Sequence, residues 1–586
     1  MKARIIMIIG FLLTITLGAR SQNTIKGNVT DGTEPIIGAV VAVEGTQNAT
    51  VTDMDGNFTL ENVDANKGVL VFSYIGMTSK KETLNGRTDI KVEMKEDMAQ
   101  LEDVVVIGYG TQKRGNLTGA MASVDGKQLE KVPVSNVGEA IVGRMPGVQV
   151  TTQDGSPDSE ITVRVRGGGS ITQSNEPLIL IDGFEGSLND VPPTDVESIE
   201  VLKDAASTAI YGARGANGVV LVTTKKPKEG RVSVNINAYT QTKELSNKLD
   251  VLSPYDFVRA NWERIRPKGA SSGNGFANTF GQPYEFYIYQ GYEGYDWQDI
   301  IFDTHPISSY VDANISGGND KAKYKVSLMH QNQPSVMPSN GLKQYNLNAQ
   351  LNLKLWKFLS VEYRTRYMHK VLNGRGTEGV GLLASLQEQP TNGLQDFTSQ
   401  PENNELVDDD TFTEYYHYDP LEQNRRFYRK RTTDLLNMGG ALTWTIMKGL
   451  TLRNEFVYED YRENDRNFNA ANSNSASKTY GPNLTENDAY RTKWQLTNVI
   501  NYNFSLNDVH NFQLMAGQEM KNEASHSKRN YIGYFPENIS AEKAFDNYAL
   551  GTPISNTSSR PSPMRISSFF GRINYNYKEK YLLELN

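Results

Sequence analysis

From residue 231 onward, apolar and polar residues alternate along the chain. Val232, Val234, Ile236 and Ala238 interleave with Ser233, Asn235 and Asn237. Tyr345, Leu347, Ala349, Leu351, Leu353 and Leu355 interleave with Asn346, Asn348, Gln350, Asn352 and Lys354. A period of two marks β-strands with one apolar face and one amide-rich face. The pattern predicts strands at 231–241, 308–317, 322–331, 343–355, 357–370, 433–447, 450–461, 490–504, 511–522, 566–577 and 580–586. In a soluble sandwich the polar face meets water outside. In an outer-membrane barrel the apolar face meets lipid and the polar face lines the lumen. Connection lengths separate the two. Tight links at Gly317-Gly318-Asn319-Asp320, Trp356, Lys448-Gly449, Leu506-Asn507-Asp508 and Lys578-Glu579 take turns with long ones that include 242–307, 371–432 and 523–565. Short turns on one side and long loops on the other are the barrel pattern. Tyr310, Trp356, Trp444, Tyr458, Trp494 and Tyr577, near strand ends, are expected to form the interfacial aromatic girdles.

Upstream the texture differs. Between 25 and 95, short strand-like stretches (Ile25–Val29, Ala39–Val43, Thr50–Thr52, Asn57–Leu60, Val69–Tyr74, Ile90–Met94) are separated by Asp31-Gly32, Asp55-Gly56 and Asn85-Gly86. Such spacing predicts a small β-sandwich. Asp53-Met54-Asp55-Gly56-Asn57 has the look of a calcium loop but lacks its closing Glu, so a hairpin turn is the expectation. Next comes a charged linker, 97–114, around the β-branched run Val104, Val105, Val106 and Ile107. An extended, unpaired run of this kind can add to a sheet edge of another protein. The alternative is a first strand of the following domain.

Residues 115–230 mix both element types. Val137–Val150 reads as helix, Pro-Gly break and strand; Ile161–Ser170 puts Val163 and Val165 on one face and Arg164 and Arg166 on the other. Pro177–Phe184 is a buried strand ending in the Asp182-Gly183 turn. Glu197–Lys226 reads as strand, short helix from Asp204 to Tyr211, a turn with Gly212, Gly215 and Gly218, and strand Val219–Val222. The glycine clusters do not make a phosphate loop. Arg166-Gly167-Gly168-Gly169 is not followed by Lys-Ser/Thr, and Gly212–Gly218 opens no long helix.

Composition narrows the chemistry. The 586 residues contain no cysteine and six histidines, the first at His305. The first 304 residues therefore hold no Cys/His metal site, Cys nucleophile or His-based triad. A net charge of -8 argues against a nucleic-acid partner. Lys2 and Arg4, the apolar stretch Ile5–Leu17 and Ala19-Arg20-Ser21 read as a secretory signal peptide over 1–21, with Gln22 as the mature start.

Three motif sets carry a family resemblance. GNVTDGTEPIIGAVVAVEGT, TDMDGNFTL and LVFSYIGM resemble the carboxypeptidase-regulatory-like domain, with Ala49 and Met77 as mild departures. VLKDA and YGARGANGV, after RVRGGGS and PLILIDGF, resemble the plug of SusC/RagA-type TonB-dependent outer-membrane transporters. LEDVVVIGYG resembles their TonB box, and YDWQDIIF with ISGGNDKAKYKVSLMHQNQ their first barrel strands.

The resemblance implies a mostly β chain in a fixed order: signal peptide 1–21, β-sandwich 22–96, linker 97–114, α+β plug 115–230, and from 231 to 586 the first half of a large antiparallel transmembrane barrel. About 11 strands are roughly half of the 22 of a large plugged barrel, so the sequence is expected to be incomplete or truncated. Val104, Val105, Val106, Ile107, Gly108, Tyr109 and Gly110 would pair with the periplasmic end of TonB, driven by the inner-membrane energising complex. Plug-motif residues are Arg164, Arg166, Gly167, Asp182, Gly183, Lys203, Asp204, Tyr211, Gly212, Arg214, Gly215, Asn217 and Gly218, with Arg164 and Arg166 expected to contact the barrel or water.

The implied function is import, without catalysis, cofactor or metal, of an oligosaccharide or a peptide, with a SusD-like surface lipoprotein as lid, outer-membrane lipid around the barrel and the N-terminal domain in the periplasm. The alternatives are a siderophore or cobalamin receptor, which the N-terminal sandwich disfavours, and a secreted, non-transporting β-rich adhesin. Tyr284, Phe286, Tyr287, Tyr289, Tyr292, Tyr295 and Trp297 on the first long loop suit sugar stacking, peptide packing or a partner contact. Asp408, Asp409 and Asp410 read as a solvated acidic patch rather than a calcium site.

Overall fold

A computed structural model describes residues 22–586 apart from 32–34, 47, 67, 75–76, 95–103, 108–109, 114–119, 133, 135, 153–156, 158, 160, 269, 303, 375–381, 398–419, 472–479, 508 and 579. The signal peptide 1–21, Gly108, Tyr109 and Asp408–Asp410 lie outside the described residues.

The N-terminal unit is a two-sheet sandwich. Its strands are β1 Gln22–Thr30, β2 Val40–Val43, β3 Ala49–Val51, β4 Asn57–Asp64, β5 Val69–Ser73, β6 Lys80–Thr83 and β7 Asp89–Glu93. They form the sheets β4-β1-β7 and β3-β2-β5-β6. Alternation drives this packing: Phe58 and Leu60 on β4 turn inward while Thr59 and Glu61 stay exposed. Phe58 meets Phe72 of the facing sheet edge-on at 5.6 Å. At the Asp53–Asn57 turn, Asp53 Oδ1 accepts from the backbone N–H of Asp55 and Asn57, so that oxygen holds the hairpin turn. After the sandwich, β8 Val104–Ile107 and β9 Gly110–Lys113 pair with each other as a two-stranded sheet.

The second unit holds the plug and the barrel wall. Plug strands are β10 Met121–Asp125, β11 Val148–Thr152, β12 Ile161–Val165, β13 Leu178–Ile181, β14 Phe184–Glu185, β15 Val196–Leu202 and β16 Val219–Thr224. Five form a mixed sheet in the order β10-β15-β16-β13-β14, and β11 with β12 forms a hairpin beside it. Ile199, Val201, Val220 and Val222 are fully or almost fully buried in a core closed by Leu129, Ile141 and Val163. The strand–helix–turn–strand reading of Glu197–Lys226 is what the structure has. Gly212 sits at φ 60, ψ -146, inside the turn that follows helix Ala205–Thr208. Gly218, at φ 92, lies where a Cβ would approach Val165 and the Leu202 carbonyl at 3.1–3.2 Å.

The wall is one antiparallel sheet of 12 strands. They are β17 Gly230–Thr242, β18 Ile307–Gly318, β19 Ala322–Pro334, β20 Gly341–Trp356, β21 Leu359–Asn373, β22 Phe427–Met447, β23 Leu450–Asn469, β24 Asn483–Leu506, β25 His510–Gly533, β26 Thr552–Ser559, β27 Met564–Tyr577 and β28 Tyr581–Leu585. Eleven follow one another as neighbours, and β26 pairs beside the far end of β25. The turns at 319–321, 357–358, 448–449 and 578–580 lie on one edge, and the connections 243–306, 335–340, 374–426 and 470–482 on the other. Of the latter, 335–340 is a short turn rather than a long loop.

The wall is inside out compared with a soluble sheet. Its outward residues are apolar: Val232 is 62% and Leu328 56% exposed. Its inward residues are polar and buried, among them Lys325, Ser327, Gln344, Asn346, Gln495, Glu519 and Lys521. Trp356 and Trp444 point outward near the short-turn edge, as a girdle requires. Tyr310 does not. It faces inward, buried, stacked on Tyr239 at 4.8 Å, because its place in the β18 alternation puts it on the plug side.

Strands β22–β25 run 20–24 residues, well past their sequence-predicted outer ends. At roughly 3.3 Å per residue the longest spans ~80 Å, whereas crossing a bilayer takes ~9–11 residues. Beyond the apolar belt, loop segment 541–546 covers the outer side of these strands through Phe468, Leu484, Ile532, Phe535 and Phe545. A second loop core is built from Val258, Ile265, Phe276, Phe280, Phe286 and Tyr289. Trp297 Nε1 donates to the Gln389 carbonyl at 2.9 Å, tying this loop to the next long one. The seven loop aromatics thus divide: Phe286, Tyr289 and Trp297 are buried, Tyr292 and Tyr295 are half-buried, and Tyr284 and Tyr287 are exposed.

Candidate functional site: the plug–wall interface

The inward face of the wall grips the plug with charges and amides. Three anchors stand out. The first is Asp195, in the short turn before β15. Its Oδ1 accepts from Lys325 Nζ and Ser327 Oγ, each at 2.8 Å, and its Oδ2 accepts from Asn348 Nδ2 at 3.3 Å. Both Asp195 and Lys325 are 4% exposed. Burial pushes the Asp195 carboxyl up, but the Lys325 ammonium and these hydrogen bonds outweigh it and hold it below the usual range.

The second anchor is the β13–β14 turn. Asp182 and Gly183 both have positive φ, 50 and 84, as a two-residue hairpin turn of the primed type demands. Asp182 Oδ1 accepts from the Thr224 N–H at 2.9 Å and its Oδ2 from the Thr224 hydroxyl at 2.8 Å, closing the end of β16. Arg366 on β21 stands 3.5 Å from the same carboxylate, and Gln350 Nε2 donates to Thr224 Oγ1 at 3.1 Å. The cavity left here measures 10 Å³, room for nothing larger than water. Gln495 Nε2 reaches the Gly183 carbonyl at 3.4 Å.

The third anchor joins Glu185, Arg214, Glu519 and Lys521. Arg214 lies 3.4 Å from Glu185 and 3.1 Å from Glu519 of β25, and Lys521 pairs with Glu185 from the same strand. Burial raises the Glu185 carboxyl; Lys521, Lys493 and Arg214 more than offset this and bring it below its ordinary value. Elsewhere in the plug, Asp190 accepts from the Ser187 N–H at 2.8 Å, yet burial leaves its carboxyl raised.

The other plug-motif residues hold the plug together. Asp204 caps the helix through the Ser207 N–H at 2.9 Å and also accepts from the Ala120 N–H. Lys203 donates to the Pro146 carbonyl, and Asn217 Nδ2 donates to the Ser174 carbonyl at 3.0 Å. Tyr211 and Gly215 are buried. Arg164 is exposed on β12; Arg166, with φ 56, and Gly167, with φ 93, form the exposed turn that follows. The plug arginine that meets the wall is Arg214, through Glu519, and on the wall Arg366 stands beside Asp182. Sequence reasoning missed Glu185, Asp195, Lys325, Glu519 and Lys521. The one signal available was a charged residue at an inward position of an otherwise amide-rich strand.

Among known families, the TonB-dependent receptor plug domain matches residues 113–219 and the CarboxypepD_reg-like domain matches residues 25–106. TonB-dependent receptor P26 of Formosa agariphila is 32% identical over 601 residues, covering 96% of this chain and 55% of its own length. TonB-dependent receptor SusC of Bacteroides thetaiotaomicron is 36% identical over 363 residues, covering 60% of this chain and 34% of its own. The chain thus spans about half the length of the first of these curated relatives. The RagAB peptide importer in its open-open state superposes with a TM-score of 0.64 at 23% identity, over 81% of this chain and 55% of that one, and shows the shared fold.

Proposed function

Because the chain belongs to the SusC/RagA family of TonB-dependent receptors, we propose that it is part of an active importer of oligosaccharides across the bacterial outer membrane. The carrying observation is the inside-out wall: polar residues grip a plug and apolar ones face outward. A lipid solvent outside and a blocked lumen inside account for both faces. On this reading residues 22–96 are the periplasmic sandwich, 97–114 the linker, 115–230 the plug and 231–586 the wall. Val104–Gly110 is the TonB-pairing segment. The β8–β9 hairpin must open for Val104–Ile107 to add to a TonB edge. Force on that segment would then act on a plug held by the three anchors. A SusD-like lipoprotein is the proposed lid, and peptides are the second substrate class.

The test is uptake. Cells carrying the full chain and its lid should accumulate labelled oligosaccharide only with TonB present, and deletion of 104–110 should abolish accumulation while the protein stays in the outer membrane. A product recovered in the medium rather than the outer membrane would sink the importer and favour a secreted binding protein.

A further inference from the structure

The outward face of the wall changes character at one row of residues. On β19, β20 and β21, His330, Tyr345 and His369 are direct register partners. Two positions nearer the short turns, the same face carries Leu328 and Leu347; two positions nearer the long loops it carries Asn332 and Lys343. Tyr345 stands about 11 residues from Trp356 along β20. At ~3.3 Å per residue and a tilt of ~40°, that lifts it ~28 Å along the membrane normal, against an apolar band ~25 Å tall. The row therefore lies where hydrocarbon gives way to headgroups. It is on the side of the long loops, which in such barrels faces outside.

The row is built more tightly than a girdle of single aromatics. The His330 and Tyr345 rings stack at 4.5 Å with 23° between their planes, and the His369 ring lies 6.3 Å from Tyr345 on its other side. Asp434 Oδ1 accepts from His369 Nδ1 at 2.8 Å and from the Tyr367 hydroxyl at 2.6 Å, which fixes the imidazole in place. Tyr345 is nonetheless 49% exposed, so the three rings form an open ledge. Lys343 is exposed directly above it and, among the described residues, meets no carboxylate. Hydrocarbon offers nothing to an ammonium or an imidazole nitrogen. A phosphate would answer Lys343. Sugar hydroxyls both donate and accept, so they suit an imidazole in either protonation state. The flat face of a sugar ring packs on an aromatic one. Fatty chains below such a headgroup would run down Leu328 and Leu347. A phospholipid without sugar leaves the ledge bare, and a neutral glycolipid leaves Lys343 without a counter-charge.

We infer that His330, Tyr345, His369 and Lys343 form a binding site for a phosphorylated glycolipid of the outer leaflet. The inference rests on the outer-membrane reading above, and the test keeps the two apart. The full chain in mild detergent is titrated with diphosphorylated lipid A, with dephosphorylated lipid A and with phosphatidylglycerol. Bound lipid is read as added mass by native mass spectrometry. The wild type should hold the first roughly tenfold more tightly than either of the others. Lys343→Gln and the double variant H330Q/H369Q should each lose that preference, and Tyr345→Leu should weaken binding several-fold. Lys578→Gln, at the short-turn edge, should keep it. Lys343 is exposed, so its variant keeps the fold, and protection of the plug from protease verifies this. Equal uptake of the three lipids, a preference unchanged in the variants, or displacement by millimolar inorganic phosphate overturns the site. The membrane reading has its own arm. Leu328→Cys, in a chain with no other cysteine, should react in native membranes with a lipid-soluble maleimide and not with a water-soluble one. If the water-soluble reagent labels it, the membrane reading falls. If labelling is as expected and the lipid preference is absent, only the glycolipid site falls.

Discussion

The plug and the wall are both sheets, yet their residues sort in opposite directions. In the plug, Ile199, Val201 and Val220 turn toward one another and leave water. In the wall, Val232, Ile236 and Leu328 turn outward and Lys325, Glu519 and Lys521 turn in. The same two-residue period serves both because burial depends on which solvent lies outside. A further difference follows. The plug coheres by apolar contact, whereas it attaches to the wall by ion pairs and amides. Cohesion of the first kind is non-directional. Attachment of the second kind depends on each partner staying in place. A plug of this build should leave the wall before it melts.

The most damaging way to test that contrast is to place a charge in the plug core. Ile199→Asp buries an unpaired carboxylate and should cost upward of about 4 kcal/mol. The expected readout is rapid proteolysis of the plug in isolated membranes. A protease-resistant variant would show that the plug is held by the wall rather than by its own core.

Next comes the attachment. Asp195→Asn leaves the Lys325 ammonium buried without its counter-charge, a loss of about 3–5 kcal/mol. Replacing both, as D195L/K325M, should recover most of it, since matched apolar groups are often neutral in such sites. Plug release in urea, followed by pore conductance in planar bilayers, measures both variants. If the single and double variants release the plug equally, the pair is not an anchor.

Leu328→Arg examines the wall's outer face. Leu328 is 56% exposed. In water such a change is worth within about 0.5 kcal/mol, but in the hydrocarbon region it costs about 2–4 kcal/mol. Urea unfolding of the full chain in lipid vesicles decides. An effect near zero would break the comparison at its root.

How much of this was readable beforehand depends on the solvent too. Within the apolar belt, 308–317, 322–331, 343–355 and 357–370 agree with β18–β21 to within three residues at either end. Above it, β22–β25 carry charged ladders such as Arg429–Asp465 and Arg466–Glu486 on their faces. There the outward face is no longer apolar, so the alternation that betrays a strand disappears. The plug's glycine turns were legible because φ is a local property. Its anchors were not, since nothing local to Asp195 states that Lys325, 130 residues on, will meet it. Tyr310 shows the same limit: an aromatic near a strand end suggested a girdle, and only the inward phase of β18 assigns it to the plug.

The smallest expected effect is a pH signature of the attachment alone. Asp195 and Glu185 have lowered native pKa values. Their contribution is therefore present above the unfolded carboxylate value, about 4, and is lost as pH falls through the native value. Asp190 has a raised native pKa. It therefore costs stability above its unfolded value, and protonating it relieves that cost. Plug retention should then rise slightly from neutral to mildly acid pH and fall at lower pH. Asp190→Asn keeps an acceptor for the Ser187 N–H but removes the titration. It should abolish the mildly acid rise and leave the later fall unchanged. Urea midpoints for plug release, taken across this range for both proteins, measure the difference. A fall that shifts with Asp190→Asn would mean the three carboxylates titrate as one coupled group, and the anchors would no longer be separable.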